Sequence, residues 1–140
     1  LDALASSGKT QTILAEMEKR WSNIHIERIR NGEVKIVEAK QGKHIVGHNN
    51  YEDLVRRQEN PSIFTHPDPQ KIFNEYGGTG IKDINCSETV VGVAGYREIV
   101  DFNQFIGYSV EEGTGIKTAT TMGKIHYAKD GAHIVPFVER

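Results

Sequence analysis

Cys86 is the chain's single cysteine. Its isolation excludes an internal disulfide and any cysteine-rich zinc site, leaves the redox compartment open, and makes core packing its expected role. Long apolar runs are missing too. None approaches the roughly 20 residues of a membrane-spanning helix, and the first residues lack the basic-then-apolar order of a secretory signal, so no part of the segment is expected to anchor in a membrane. Strong positive charge is also absent, the formal net charge being −2 at pH 7. That speaks against coating nucleic acid by phosphate neutralisation alone, which needs clustered Lys and Arg. A nuclease with a small local cationic site is compatible with it. A start at Leu1 rather than Met suggests a piece of a longer protein whose delivery signals lie upstream.

A chain of 140 residues, 37% hydrophobic and 26% charged, suits one globular domain that buries about two thirds of its unfolded surface. TQTILAEMEKRWSN (10–23) places Ile13, Leu14, Met17 and Trp21 on one stripe of an amphipathic helix. In IHIERIRNGEVKIVEA (24–39), Asn31-Gly32 separates two β-branched runs, which predicts a hairpin. NYEDLVRRQ (50–58) reads as a helix capped by Asn50, and DPQKIFNEYGG as a second, with Asp68 as cap, Pro69 in the first turn and Gly77 as stop. Glycine-punctuated β-type runs follow: TVVGVAGY, QFIGYSVEE, IKTATTM, KIHYAK and AHIVPFV. The predicted class is α+β, with N-terminal helices packed on a C-terminal antiparallel sheet.

The histidines carry the most chemistry. A two-residue turn at Asp130-Gly131 would pair Tyr127 with Ile134 and His126 with Val135, setting His126 and His133 as diagonal neighbours on one face about 7–8 Å apart at the backbone, with room for a phosphate between the rings. A three-residue loop would pair Tyr127 with His133 and send the histidines to opposite faces. In AKQGKHIVGHNNY (39–51), His44 and His48 are four apart, on one face of either a helix or a strand, with Lys40 and Lys43 just before them. As a metal site the pair lacks the Glu of HExxH and a third ligand nearby. An acid/base and cation cluster fits it better, and an exposed polar loop is the plainest alternative. His25 and His66 read as structural.

Other motifs are weak. ALASSGKT ends like a phosphate-binding P-loop but has Ala where the motif needs Gly, with no strand before it. GGTG (77–80) and GTG (113–115) are turn glycines outside any strand-turn-helix setting. No Ser sits in GxSxG, and Cys86 has no basic neighbour in sequence.

KQGKHIVGHNNY, NPSIF, GGTG and FIGYSVEEGTGIKTATTMGKIHYAKDGAHIVP together resemble the bacterial polymorphic toxin type 50 domain over about residues 38–138. The terminal motif is the specific one. Ala128 and Ala132 stand where Ser and Thr are common in that family, and His48 where a small polar residue is expected. The resemblance implies membership of the barnase/EndoU/colicin/RelE-like group of small ribonucleases, with helices on one face of an antiparallel sheet. It divides the chain into a helix-and-hairpin extension (1–37) and a ribonuclease domain (38–140), the C-terminal warhead of a larger delivered protein that acts in the target-cell cytoplasm. Implied partners are an RNA substrate, transfer RNA among the candidates, a cognate immunity protein and a host helper protein, with no membrane and no cofactor. Metal-free RNA cleavage requires a base for the ribose 2′-OH, an acid for the leaving 5′-oxygen and a cation near the phosphorane. The corresponding assignment is His44 and His133 as acid and base in either order, His126 as a third member, Lys43 as charge stabiliser, and Thr118 or Thr121 as phosphate donor. A non-catalytic binding or adaptor domain of a larger delivered or phage-related protein is the alternative.

Overall fold

A computed structural model describes residues 8–140 and has the α+β architecture expected from the element order. Helix α1 spans Gly8–Arg30, α2 Glu38–Gln41, a 3₁₀ turn Gly42–His44, α3 Asn49–Arg56 and α4 Pro69–Tyr76. The strands are β1 Ile63–Phe64, β2 Ile81–Lys82, β3 Arg97–Asp101, β4 Gly107–Val110, β5 Lys117–Thr120, β6 Met122–Ala128 and β7 Gly131–Pro136. They form two sheets where one was expected, β1-β4-β5 and β2-β3-β6-β7, with every strand pair antiparallel. ALASSGKT lies mostly outside the described residues, and its last three residues open α1.

The hairpin expected at Asn31-Gly32 does not form. The amphipathic helix instead continues to Arg30, and Asn-Gly ends it: Gly32 takes a φ of 75°, its N–H bonds the Ile29 carbonyl at 3.0 Å, and the Glu33 N–H bonds the Arg28 carbonyl at 2.9 Å. This is the Schellman arrangement, which uses the same left-handed glycine that a hairpin turn would. Tertiary burial decides between the two. Ile29 is fully buried beside Phe73 and Ile72 of α4, and Arg30 donates to the Gly77 carbonyl at 2.7 Å. The stripe of Ile13, Leu14, Met17 and Trp21 remains about half exposed.

Along β3, β6 and, from Ala132 on, β7, burial alternates, so Glu98, Val100, Ile125, Tyr127, Ala132 and Ile134 face the core while Arg97, Lys124, His126 and His133 share the opposite face. Glu98 is an acid in that core. It accepts from the backbone N–H groups of Gly78 and Gly80 and from the Tyr127 hydroxyl. Burial pushes its carboxyl pKa up, against the pull of those donors. The GGTG segment thus serves the sheet as a backbone cradle for a buried carboxyl.

Two further expectations change. TVVGVAGY is not a strand, because Gly92 (φ 88°) and Gly95 (φ 93°) break the extended run. At the terminal hairpin the two-residue loop is Lys129-Asp130 rather than Asp130-Gly131, with Ala128 opposite Gly131, Tyr127 opposite Ala132 and His126 opposite His133. The slip follows from packing. Lys35–Val37 lies parallel to the start of β7, with Ala132 N–H bonding the Lys35 carbonyl and Val37 N–H the Ala132 carbonyl. A Cβ at Gly131 would strike that Lys35 carbonyl, so the glycine serves a close approach of two backbones. A two-residue slip preserves side-chain faces and moves the histidines from diagonal to directly opposite.

Candidate active site

Gln41 sets the geometry of the site. It is 1% exposed; its side-chain amide donates to the Ile134 carbonyl at 2.8 Å and its side-chain oxygen accepts from the Ile134 N–H at 2.7 Å. Strand β7 is the outer strand of its sheet, and an uncovered strand edge is a row of unpaired polar groups. Gln41 satisfies one residue of that edge and fixes the following 3₁₀ turn against it. Gly42 leaves space for the His48 ring, which a Cβ there would overlap.

That turn delivers His44 onto His133. The two rings are stacked with centroids 6.1 Å apart and planes 9° from parallel, and His133 is stacked in turn on His126 at 4.8 Å and 20°. Three imidazoles from the 3₁₀ turn, β7 and β6 therefore form one row. His44 Nδ1 lies 2.9 Å from the Ser62 carbonyl. A carbonyl only accepts, so Nδ1 carries the hydrogen and the neutral ring keeps its lone pair on Nε2.

Cations stand near both ends of the row. Arg97 is the cross-strand partner of His126, and Lys124 lies two residues before His126 on the same face. Both reach Oδ2 of the buried Asp83, Lys124 at 3.1 Å and Arg97 at 3.4 Å. Near the other end stand Lys43, exposed beside His44, and Lys40, which pairs with Asp130 at 3.0 Å.

The surroundings favour neutral rings. Burial lowers all three pKa values. For His126 the value falls to about 4, with Arg97 and Lys124 adding to burial. For His133 it falls to about 3, with His126 and His44 adding to burial. For His44, the Ser62 hydrogen bond opposes burial and Lys43 adds to it.

This has a measurable consequence for stability. The folded state resists protonation that the unfolded chain accepts near pH 6.5, so the stabilisation is present above that pH and is lost as pH falls toward the folded values of about 4 and about 3. Each ring contributes a slope of up to about 1.4 kcal/mol per pH unit in that window. Urea unfolding at pH 7 and pH 4.5 should show a smaller acid loss for the His126→Ala/His133→Ala double variant than for the wild type. Equal losses would contradict neutral, half-buried rings.

Of the residues singled out from sequence, His44, His126, His133 and Lys43 come together. Thr121 precedes β6 and donates to Asp101 at 2.9 Å, five residues from His126 and hence about 16 Å along the strand. Thr118 is exposed on β5, an outer strand of the other sheet, opposite Ser109. His48 shares no face with His44; it caps α3, accepting from the Asn50 N–H at 3.0 Å and meeting Glu38 at 2.9 Å. His25 is on α1 rather than on a strand, and His66 accepts from the Asp68 N–H. Arg97, Lys124, Asp83, Gln41 and Ser62 were not among the candidates. Only the last gives no signal in principle, since its contribution is a backbone carbonyl. Among the described residues, no group of three or more His, Cys, Asp or Glu is arranged to hold a metal ion, and no helix is long and apolar enough to cross a membrane.

No curated protein matches the chain. The family model described as bacterial toxin 50 matches residues 36–136, from the strand of chain beside Gly131 to the last residue of β7, and so spans Gln41 and all three stacked imidazoles. The chain belongs to the bacterial toxin 50 family and carries a bacterial toxin domain.

Proposed function

We infer that the domain is an endoribonuclease that cuts RNA by 2′-OH transesterification without a metal ion. The observation that supports this best is the stacking of His44 on His133, two proton-transfer groups from distant parts of the chain, in a row with cations near each end. His44 suits the base. Its Nε2 lone pair is free of the Ser62 contact, and the same carbonyl stabilises the imidazolium that forms. The base takes the 2′-OH proton, O2′ attacks phosphorus, the P–O5′ bond breaks, and His133 gives a proton to O5′, leaving a 2′,3′-cyclic phosphate and a 5′-hydroxyl. His133 is neutral in the free protein; a bound phosphodiester supplies the opposite charge that favours its protonated form. Lys43 holds positive charge beside the phosphorane, and His126, stacked on His133 at 4.8 Å, holds that ring in place as the third member of the row. The scheme uses neither Thr118 nor Thr121. Transfer RNA as target, action in a target cell, and a cognate immunity protein that covers the row in the producing cell all belong to this reading.

Purified domain incubated with total RNA in EDTA should yield discrete fragments and leave DNA of the same sequence intact. Loss of cleavage in EDTA would replace this mechanism by a metal-dependent one. A folded sample that leaves RNA intact at micromolar concentration would favour the binding or adaptor module.

A further inference from the structure

The Arg97–Asp83–Lys124 cluster has more positive charge than its own structure needs. One cation is enough to neutralise the buried Asp83 carboxylate, yet two converge on the same oxygen, and Asp83 also accepts from the Asn85 N–H at 3.1 Å. Arg97 Nε is buried without a hydrogen-bond partner, although the side chain as a whole is 32% exposed. Lys124 has a second contact, its Nζ lying 4.9 Å from the Phe137 ring centroid. The surplus charge stands directly beside His126, where it opposes protonation of the row. In the free protein such crowding of like charge is unfavourable, and an anion in that place removes the cost. Lys40 and Lys43 form a second cationic pole past His44.

We propose that Arg97 and Lys124, held side by side by Asp83, form a subsite for a phosphate flanking the one over the imidazole row, so that this face takes a polynucleotide strand running from the Arg97 pole toward Lys43. The placement of the central phosphate rests on the ribonuclease reading; the subsite itself is tested by binding alone. Each Lys or Arg that neutralises a phosphate of a single strand adds about 0.7 to the steepness of log affinity against log salt. The probe is a labelled single-stranded oligodeoxynucleotide, which lacks the 2′-OH, titrated by fluorescence anisotropy over a range of salt concentrations. Lys124→Gln is expected to weaken binding and reduce the steepness by about 0.7. Asp83→Asn keeps an oxygen for the Asn85 N–H, removes the carboxylate charge and turns an amide N–H toward the two cations; by freeing both from Asp83 it is expected to tighten binding, an outcome a purely structural role would not produce. Lys71→Gln, on the exposed side of α4, should match the wild type.

Cleavage separates this proposal from the reading it rests on. A ribodinucleoside monophosphate has no flanking phosphate, so wild type and Lys124→Gln should cleave it equally, whereas the variant should lose most of the advantage of a longer RNA. Cleavage of both RNAs with an unchanged salt slope in natively melting Lys124→Gln and Asp83→Asn would overturn the subsite alone. Salt slopes that shift as expected, with no RNA cleaved, would overturn the ribonuclease and leave the subsite standing. Absence of any oligodeoxynucleotide binding by the wild type would overturn the subsite.

Discussion

His133→Ala is expected to slow RNA cleavage by about 10²- to 10⁴-fold, the range for losing a proton-transfer group, with little loss of stability at pH 7. His133 is the middle ring, stacked on His44 at 6.1 Å and on His126 at 4.8 Å, so its removal breaks the row at the point where both neighbours meet. The ring lies on the half-exposed face of β7, while Ala132 and Ile134 on either side carry the core packing. The backbone pairing of β6 with β7 stays in place. His44→Ala should fall in the same range, and doing both together should cost far less than the product of the two, because residues that act as one unit are not additive. Single-turnover cleavage of a defined RNA by proteins checked for native melting reads the effect. A His133→Ala variant within threefold of the wild type would remove that residue from proton transfer.

Gln41→Leu is expected to lower stability by about 2–4 kcal/mol. The substitution leaves both the N–H and the carbonyl of Ile134 without their partners at a buried strand edge, and each unsatisfied buried group costs about 1–3 kcal/mol. The melting temperature should drop by roughly 5–15 °C. Activity should fall as well, measured at a temperature where the variant remains folded, because Gln41 is the residue that fixes the turn carrying His44. Gln41→Glu keeps the acceptor for the Ile134 N–H but sets a carboxylate oxygen against its carbonyl at a 1% exposed position, so at pH 7 it should be no more stable than Gln41→Leu. A Gln41→Leu protein that melts with the wild type would mean that His44 is positioned by the Ser62 contact alone.

How much of this was legible beforehand varied with the kind of interaction. Local chemistry read well: Asp68 caps α4, with its side chain accepting from the Lys71 N–H, Pro69 opens the helix and Gly77 stops it. Asn31-Gly32 did not, since a left-handed glycine ends a helix as readily as it turns a hairpin, and the burial of Ile29 that decides between them is a tertiary contact. The register of the last hairpin was shifted by Lys35, a residue far away in sequence that needs Gly131 without a side chain. Strand REIVD escaped notice because a charged residue, Glu98, occupies one of its inward positions, and its partners are the backbone of GGTG and Tyr127. In the site, His44, His126 and His133 stood out by residue type. Lys124 lies two residues before His126 on the same strand and was passed over, whereas Arg97 and Asp83 lie on other segments with no shared motif, and the pairing of β3 with β6 is what brings Arg97 beside His126.

The chemical identity of the new RNA ends tests the central claim most directly. Three imidazoles acting on one phosphodiester with the ribose 2′-OH as nucleophile should leave a 2′,3′-cyclic phosphate and a 5′-hydroxyl, in EDTA, with wild-type protein and not with His133→Ala. Ends bearing a 5′-phosphate, or cutting that survives replacement of the ribose by deoxyribose at the cleaved position, would contradict it.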